Sequence, residues 1–261
     1  MKLTVSHWYL DCIAPGGDFF VGTATSIRRS KFHLNIVSES YGRSGRVVNK
    51  HSVAFAESSP RLTDSALTWN CSPLGVHGSW TSQVPRIEKT LVSTPKQEIV
   101  YQGVAPRAFA TVEIESDFTV QGLGCAHQLL ITSDGWNLPF SEARVGRYLT
   151  DQESFIWLDL AGKNAGTWVW RNGVEQELAS VTDDLVALDH NITLGLAYKK
   201  TVHSGQIGDT LLTSLPVLKY LIPAQLAGCC ESLWRTRAVL LDGLDETDTG
   251  WAMHSVIRSS Q

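Results

Sequence analysis

Phe155, Trp157 and Asp159 alternate along an extended segment and therefore share one face of a strand. A carboxylic acid against aromatic rings loses hydration, which disfavours its charged form. An acid kept neutral in this way can donate a proton, and indole faces can stabilise a developing cation. Asp11 shares a face with Tyr9 and offers the same combination. For either carboxylate the plainer alternatives are a strand-end cap, a solvent-facing group or a partner for an arginine. His127 lies on a face with Cys125, Leu129 and Ile131, either as a satisfied core histidine or as a proton relay.

Familiar catalytic signatures are absent from the sequence. It has no Gly-x-Ser-x-Gly, no phosphate-binding loop and no His-Glu-x-x-His. Gly122-Leu123-Gly124 lacks the third glycine of a dinucleotide fingerprint, and the eight histidines are scattered. No cofactor or metal is therefore expected. Nine tryptophans against two methionines suggest wide β layers or a cavity with rigid aromatic walls. Trp8, Tyr9, Trp136, Trp157 and Trp170 are the candidate wall residues, and Asp159, Asp11 and His127 the candidate proton-transfer residues.

The elements that must position these groups are strands. Period-two patterning recurs over 19–26, 32–37, 66–70, 76–80, 110–114, 124–132, 192–198, 234–241 and 251–258. Asn172-Gly173, between 167–171 and 174–178, predicts a type I′ hairpin. Many short strands separated by Gly- and Asp-rich turns imply an antiparallel barrel or sandwich. The best helical segment is 211–222, which Ser214 can cap and Pro223 can end; 50–57 is ambiguous. No short repeat is visible. The segment 117–122 suggests two β-rich halves, 1–115 and 116–261.

Composition bounds the class. The 261 residues carry a net charge of −4 with 18 % charged and 43 % hydrophobic residues, as in an ordinary globular protein. No basic stripe points to nucleic acid. No uncharged apolar run is long enough for stable membrane insertion, and 211–230 is interrupted by Lys219, Pro216 and Pro223. Five irregularly spaced cysteines and no signal-peptide pattern suggest reduced thiols and a cytoplasmic location.

Trp8-Tyr9-Leu10-Asp11, followed by a Gly-containing turn and Phe19-Phe20-Val21-Gly22, resembles the opening of the carotenoid hydratase family. Gly122-Leu123-Gly124-Cys125-Ala126-His127 is similar to the start of that family's second half. Gly146-Arg147-Tyr148 with Phe155–Asp159, and the closing Gly250–His254, are similar as well. The resemblance implies an all-β, lipocalin-like fold, with two antiparallel barrels or half-barrels packed together and few short helices. It also implies cofactor-free chemistry on long unsaturated molecules, as in tocopherol-cyclase-like proteins and cyclases of terpenoid or polyketide biosynthesis. Where the family carries an Asp–Asn pair after the glycines, this chain has Cys125, Ala126, His127 and Gln128. The acid then falls to Asp11 or Asp159, or the cavity only binds.

The expectation is an enzyme, a cyclase, isomerase or hydro-lyase, acting on a hydrophobic terpenoid, prenylated aromatic or polyketide by proton-initiated cyclisation, hydration or isomerisation. The alternative is a lipocalin-like carrier of a hydrophobic ligand.

Overall fold

The computed structural model describes the chain except residues 1, 44, 55–57, 64–65, 116, 136–139, 178, 189–190, 207–208, 210–227 and 260–261. The anticipated helix at 211–222 and the wall residue Trp136 thus lie outside the described residues. The architecture is all-β, with 74 % strand in two curled antiparallel sheets.

The first compact unit spans Met1–Trp136 and the second Asn137–Gln261. In the first, β1 (Leu3–Ile13), β2 (Phe19–Arg29), β3 (Phe32–Arg43) and β4 (Arg46–Val53) form a meander. They are followed by β5 (Arg61–Leu62), β6 (Leu67–Cys71), β7 (Val76–Ser82), β8 (Ile87–Thr94), β9 (Gln97–Ile114) and β10 (Phe118–Ser133). The sheet order is β4-β3-β2-β1-β10-β9-β7-β6-β5, with β8 also on β9.

The second unit holds β11 (Glu142–Leu149), β12 (Ser154–Ala161), β13 (Gly166–Arg171), β14 (Val174–Gln176) and β15 (Ser180–Val181). It continues with β16 (Leu185–Ala187), β17 (Ile192–Gly195), β18 (Lys200–Gln206), β19 (Cys230–Asp242) and β20 (Asp245–Arg258). Its order, β14-β13-β12-β11-β20-β19-β17-β16-β15 with β18 on β19, repeats the first unit strand for strand. This internal repeat is one of topology, and so no sequence period announces it.

The expected division at 115/116 falls in the connection between β9 and β10, inside the first unit. Those two strands form a long hairpin, from Phe118 opposite Ile114 to Ser133 opposite Gln97. Both therefore belong to one sheet, and the boundary lies after β10. The anticipated Asn172-Gly173 turn is present, with φ of 50° and 81° and Arg171 paired to Val174.

Alternation assigns the cores. One face of the first sheet buries Trp8, Leu10 and Cys12 of β1 against Phe20, Trp69, Trp80 and the alanines of β9. Two indoles there reach backbone acceptors, Trp80 Nε1 donating to the Asp11 carbonyl at 2.7 Å and Trp69 Nε1 to that of Ser58 at 2.6 Å. The opposite face is also covered at Ile13, Phe19, Val21 and Ile27. In the second unit Tyr148, Phe155, Trp157, Leu194, Leu240 and Ala252 form the corresponding core.

Candidate functional site

Three of the sequence-predicted residues, Tyr9, Asp11 and His127, come together on the first unit's sheet. β1 lies beside β10 with Tyr9 opposite His127 and Asp11 opposite Cys125. The Tyr9 and His127 rings stack with centroids 4.8 Å apart and 10° between planes. Tyr101 of β9 flanks the imidazole at 5.4 Å and 41°. β9 reaches this position through two register shifts, between Gly124 and Ala126 and between Ala126 and His127. Pro106 lies in the shifted stretch of β9; having no N–H, it cannot contribute a ladder bond there. Gly103 lies opposite His127, and a side chain there would press on Ile87 of β8.

Residues one and two strands away complete the face. His7 precedes Tyr9 by two and points the same way, with Nδ1 2.8 Å from Thr25 Oγ1 of β2. Cys125 Sγ is 4.0 Å from His127 Nδ1. The fully buried Asp11 carboxylate accepts the Cys125 backbone N–H at 3.0 Å, tying β1 to β10 at the register shift.

Desolvation dominates the electrostatics. It lowers the pKa of His127 to about 3, with the charge of His7 as a second cause. It lowers His7 to about 4. Burial raises the Tyr101 phenol well above its ordinary value. At neutral pH the face thus presents neutral imidazoles and a phenol. His7, Tyr9 and His127 are each half-buried. A neutral imidazole offers a substrate hydroxyl one N–H donor and one lone pair; its lowered pKa makes it a weak base, suited to relaying a proton rather than holding it.

The other predicted residues lie elsewhere. Trp8 is on the opposite face of β1, in the core. Asp159 belongs to the second unit. Its Oδ2 receives Arg144 at 3.1 Å and its Oδ1 the Thr167 hydroxyl at 2.6 Å, within a network that also holds Glu142, Asp183 and Arg258. Trp157 is buried in the second core, 6.4 Å from the His254 ring. Trp170 pairs with Ile156, so it occupies the sheet face opposite Trp157.

Two features were missed from sequence. His7 was legible as a parity partner of Tyr9, but Thr25 depends on the β1–β2 pairing and Tyr101 on the register shifts. Glu39 is the second. It has the surroundings anticipated for an acid: the side chain is fully buried and neither oxygen accepts a hydrogen bond. Desolvation raises its pKa to about 7, against the opposing pull of Lys50 3.6 Å away. Its flanking residues Val37 and Tyr41 were the available signal. Among the described residues no group of three or more His, Cys, Asp or Glu is placed to hold a metal ion. Among them, too, no helix is long and apolar enough to cross a membrane.

No known family profile matches the sequence, and no curated protein is recognisably related to it. Solved structures are similar in fold. A candidate AttH from Nitrosomonas europaea matches with TM-score 0.57 and 10 % identity, over 98 % of this chain and 92 % of that one. Kievitone hydratase from Nectria haematococca matches with TM-score 0.57 and 7 % identity, over 98 % and 89 %. CghA with Sch210972 gives 0.57 and 11 %, over 98 % and 89 %. The chain therefore shares the two-sheet β fold of a hydratase and of CghA, at identities that carry fold alone.

Proposed function

We propose that this protein is an enzyme acting on a hydrophobic unsaturated small molecule, a terpenoid, prenylated aromatic or polyketide. The reaction is a cyclisation, hydration or isomerisation by proton transfer, without an organic cofactor. The observation that carries this reading is the neutral His127 imidazole, stacked on Tyr9 and flanked by Tyr101 on a half-buried face. In this reading His127 relays a proton between substrate atoms, accepting it from an O–H at one ring nitrogen as another is released, without resting as an imidazolium. His7 and Thr25 orient a polar group of the substrate, and the aromatic rings hold its apolar part. The fold of a named hydratase, and of CghA solved with a small molecule, supports this reaction class.

A carrier is the second reading. It is favoured by the occupied oxygens of Asp159 and the hydrogen-bonded carboxylate of Asp11, neither of which is placed as an open acid. Incubation in deuterated water with linear isoprenoids, prenylated phenols and polyketides, read by mass spectrometry, separates the two. Deuterium at carbon that depends on the protein and is lost in His127→Ala supports the enzyme. Ligands that co-purify but stay unlabelled support the carrier and overturn the catalytic reading.

A further inference from the structure

The β3–β4 ladder carries a graded stripe. Glu39 faces Lys50, Tyr41 faces Val48 and Arg43 faces Arg46, and these alternate pairs share one side of the sheet. The stripe therefore runs from buried Glu39 beside the partly exposed Lys50, through an apolar step, to two guanidinium groups at the hairpin end. The turn between β9 and β10 lies across from it. Lys50 Nζ bridges to Glu115, and Phe118 packs on Tyr41 with ring centroids 5.7 Å apart. Between them is an open cleft of about 210 Å³, walled by Tyr41, Val48 and Phe118.

The charge arrangement at the rim is unusual. Like charges directly opposite each other on a sheet repel. Among the described residues neither Arg43 nor Arg46 has a carboxylate partner, although both line the cleft. Arg43 instead lies over the Phe118 ring at 5.1 Å. Glu115, on the cleft wall, is already engaged by Lys50. Asp117 also lines the cleft, as the one rim carboxylate not engaged by Lys50.

We infer that this cleft is a binding site for a small single-ring aromatic carboxylate bearing a hydroxyl group. Its carboxylate sits between the Arg43 and Arg46 guanidinium groups, whose planar donors match two carboxylate oxygens. Its ring rests against Tyr41 and Phe118. Its hydroxyl reaches the Lys50–Glu115 pair at the inner end. The volume lies below that of drug-sized sites, which limits the guest to about one ring. The site is independent of the His127 face and stands or falls without it.

The test is calorimetric titration of the full chain with 4-hydroxybenzoate, and with 4-hydroxybenzamide as its uncharged counterpart. Saturable benzoate binding is expected at low millimolar concentration or tighter, with the amide weaker by roughly tenfold or more. Arg43→Ala with Arg46→Ala should abolish the difference between the two compounds. Asp117→Asn should tighten the benzoate severalfold. His127→Ala should leave binding unchanged. The rim residues are exposed, so these variants are expected to fold; should the double variant not fold, Asp117→Asn and the benzoate–benzamide ratio decide. Equal binding of the two compounds, no binding of either, or no tightening in Asp117→Asn would overturn the assignment.

Discussion

Tyr9 and His127 occupy directly paired positions on neighbouring strands, and their rings lie within 10° of parallel at 4.8 Å. The stack fixes the imidazole plane and covers one of its faces. In the proposed site a substrate therefore approaches the imidazole away from its Tyr9 face. This relationship couples the register of β1 and β10 to the chemistry proposed for the site.

His127→Ala is expected to reduce product formation by about 10²–10⁴-fold, the usual contribution of a positioned general acid–base. Binding of the apolar substrate should persist. His127→Gln keeps a planar polar group and should restore binding geometry without restoring turnover. Deuterium incorporation at carbon, measured alongside ligand affinity, is the check. Turnover retained in both variants would remove the imidazole from the mechanism.

Asp159→Asn should lower thermal stability while leaving turnover intact, because the carboxylate serves Arg144 and Thr167. Asp11→Asn is expected to loosen the β1–β10 junction, since Asp11 Oδ1 holds the Cys125 amide. Melting temperatures and turnover are compared for each variant. A folded Asp159→Asn protein that had lost all activity would return the acid role to Asp159.

Glu39→Gln should stabilise the protein at about pH 8. The carboxyl has a pKa of about 7 in the folded chain against an ordinary 4.5, so the folded state holds an extra proton between those values. Its contribution is most favourable below pH 4.5 and is lost as pH rises through 7. Removing the ionisable group should therefore raise stability by a few kcal/mol near pH 8 and by little near pH 4.5. Urea midpoints at the two pH values test this, and a lower midpoint at pH 8 would contradict it.

The histidines act in the opposite direction. His127 titrates at about 3, and His7 and His254 at about 4, all below the ordinary 6.5. The unfolded chain binds more protons than the folded one once pH falls below 6.5. Their stabilising contribution is complete above 6.5 and is lost progressively towards pH 4. In the Glu39→Gln background, which lacks the opposing group, the urea midpoint should fall steadily from about pH 7 to about pH 4.5. His254→Gln should flatten that slope. A midpoint independent of pH across this window would show that these rings are not desolvated.

Gly146→Ala should destabilise the second unit by about 1–3 kcal/mol, as overpacking does. A methyl at this position overlaps the Trp157 ring and approaches His254 Cβ to 2.7 Å. The melting temperature and Trp fluorescence report the change. An unchanged melting temperature would mean that the indole can move aside.

The class of element was readable from the residues, because alternation of apolar and polar residues is a local property of a strand. The Asn172-Gly173 turn was legible for the same reason, since positive φ at two successive residues selects those side chains. The shared faces of Tyr9 with Asp11, and of His127 with Cys125, also followed from parity within one strand. Which strands are neighbours depends on long-range pairing. Tyr101 joins His127 only through two register shifts near Pro106, and no local pattern encodes the offset between strands. Asp159 finds Arg144 on β11, and Trp170 turns away from Trp157, because strand pairing sets the partner and the face. Glu39 acquires its raised pKa from burial, a property of the folded sheet that neither Glu39 nor its sequence neighbours carry alone. The repeat of ten strands lies in their order, which is fixed by long-range pairing and leaves no period in the residues.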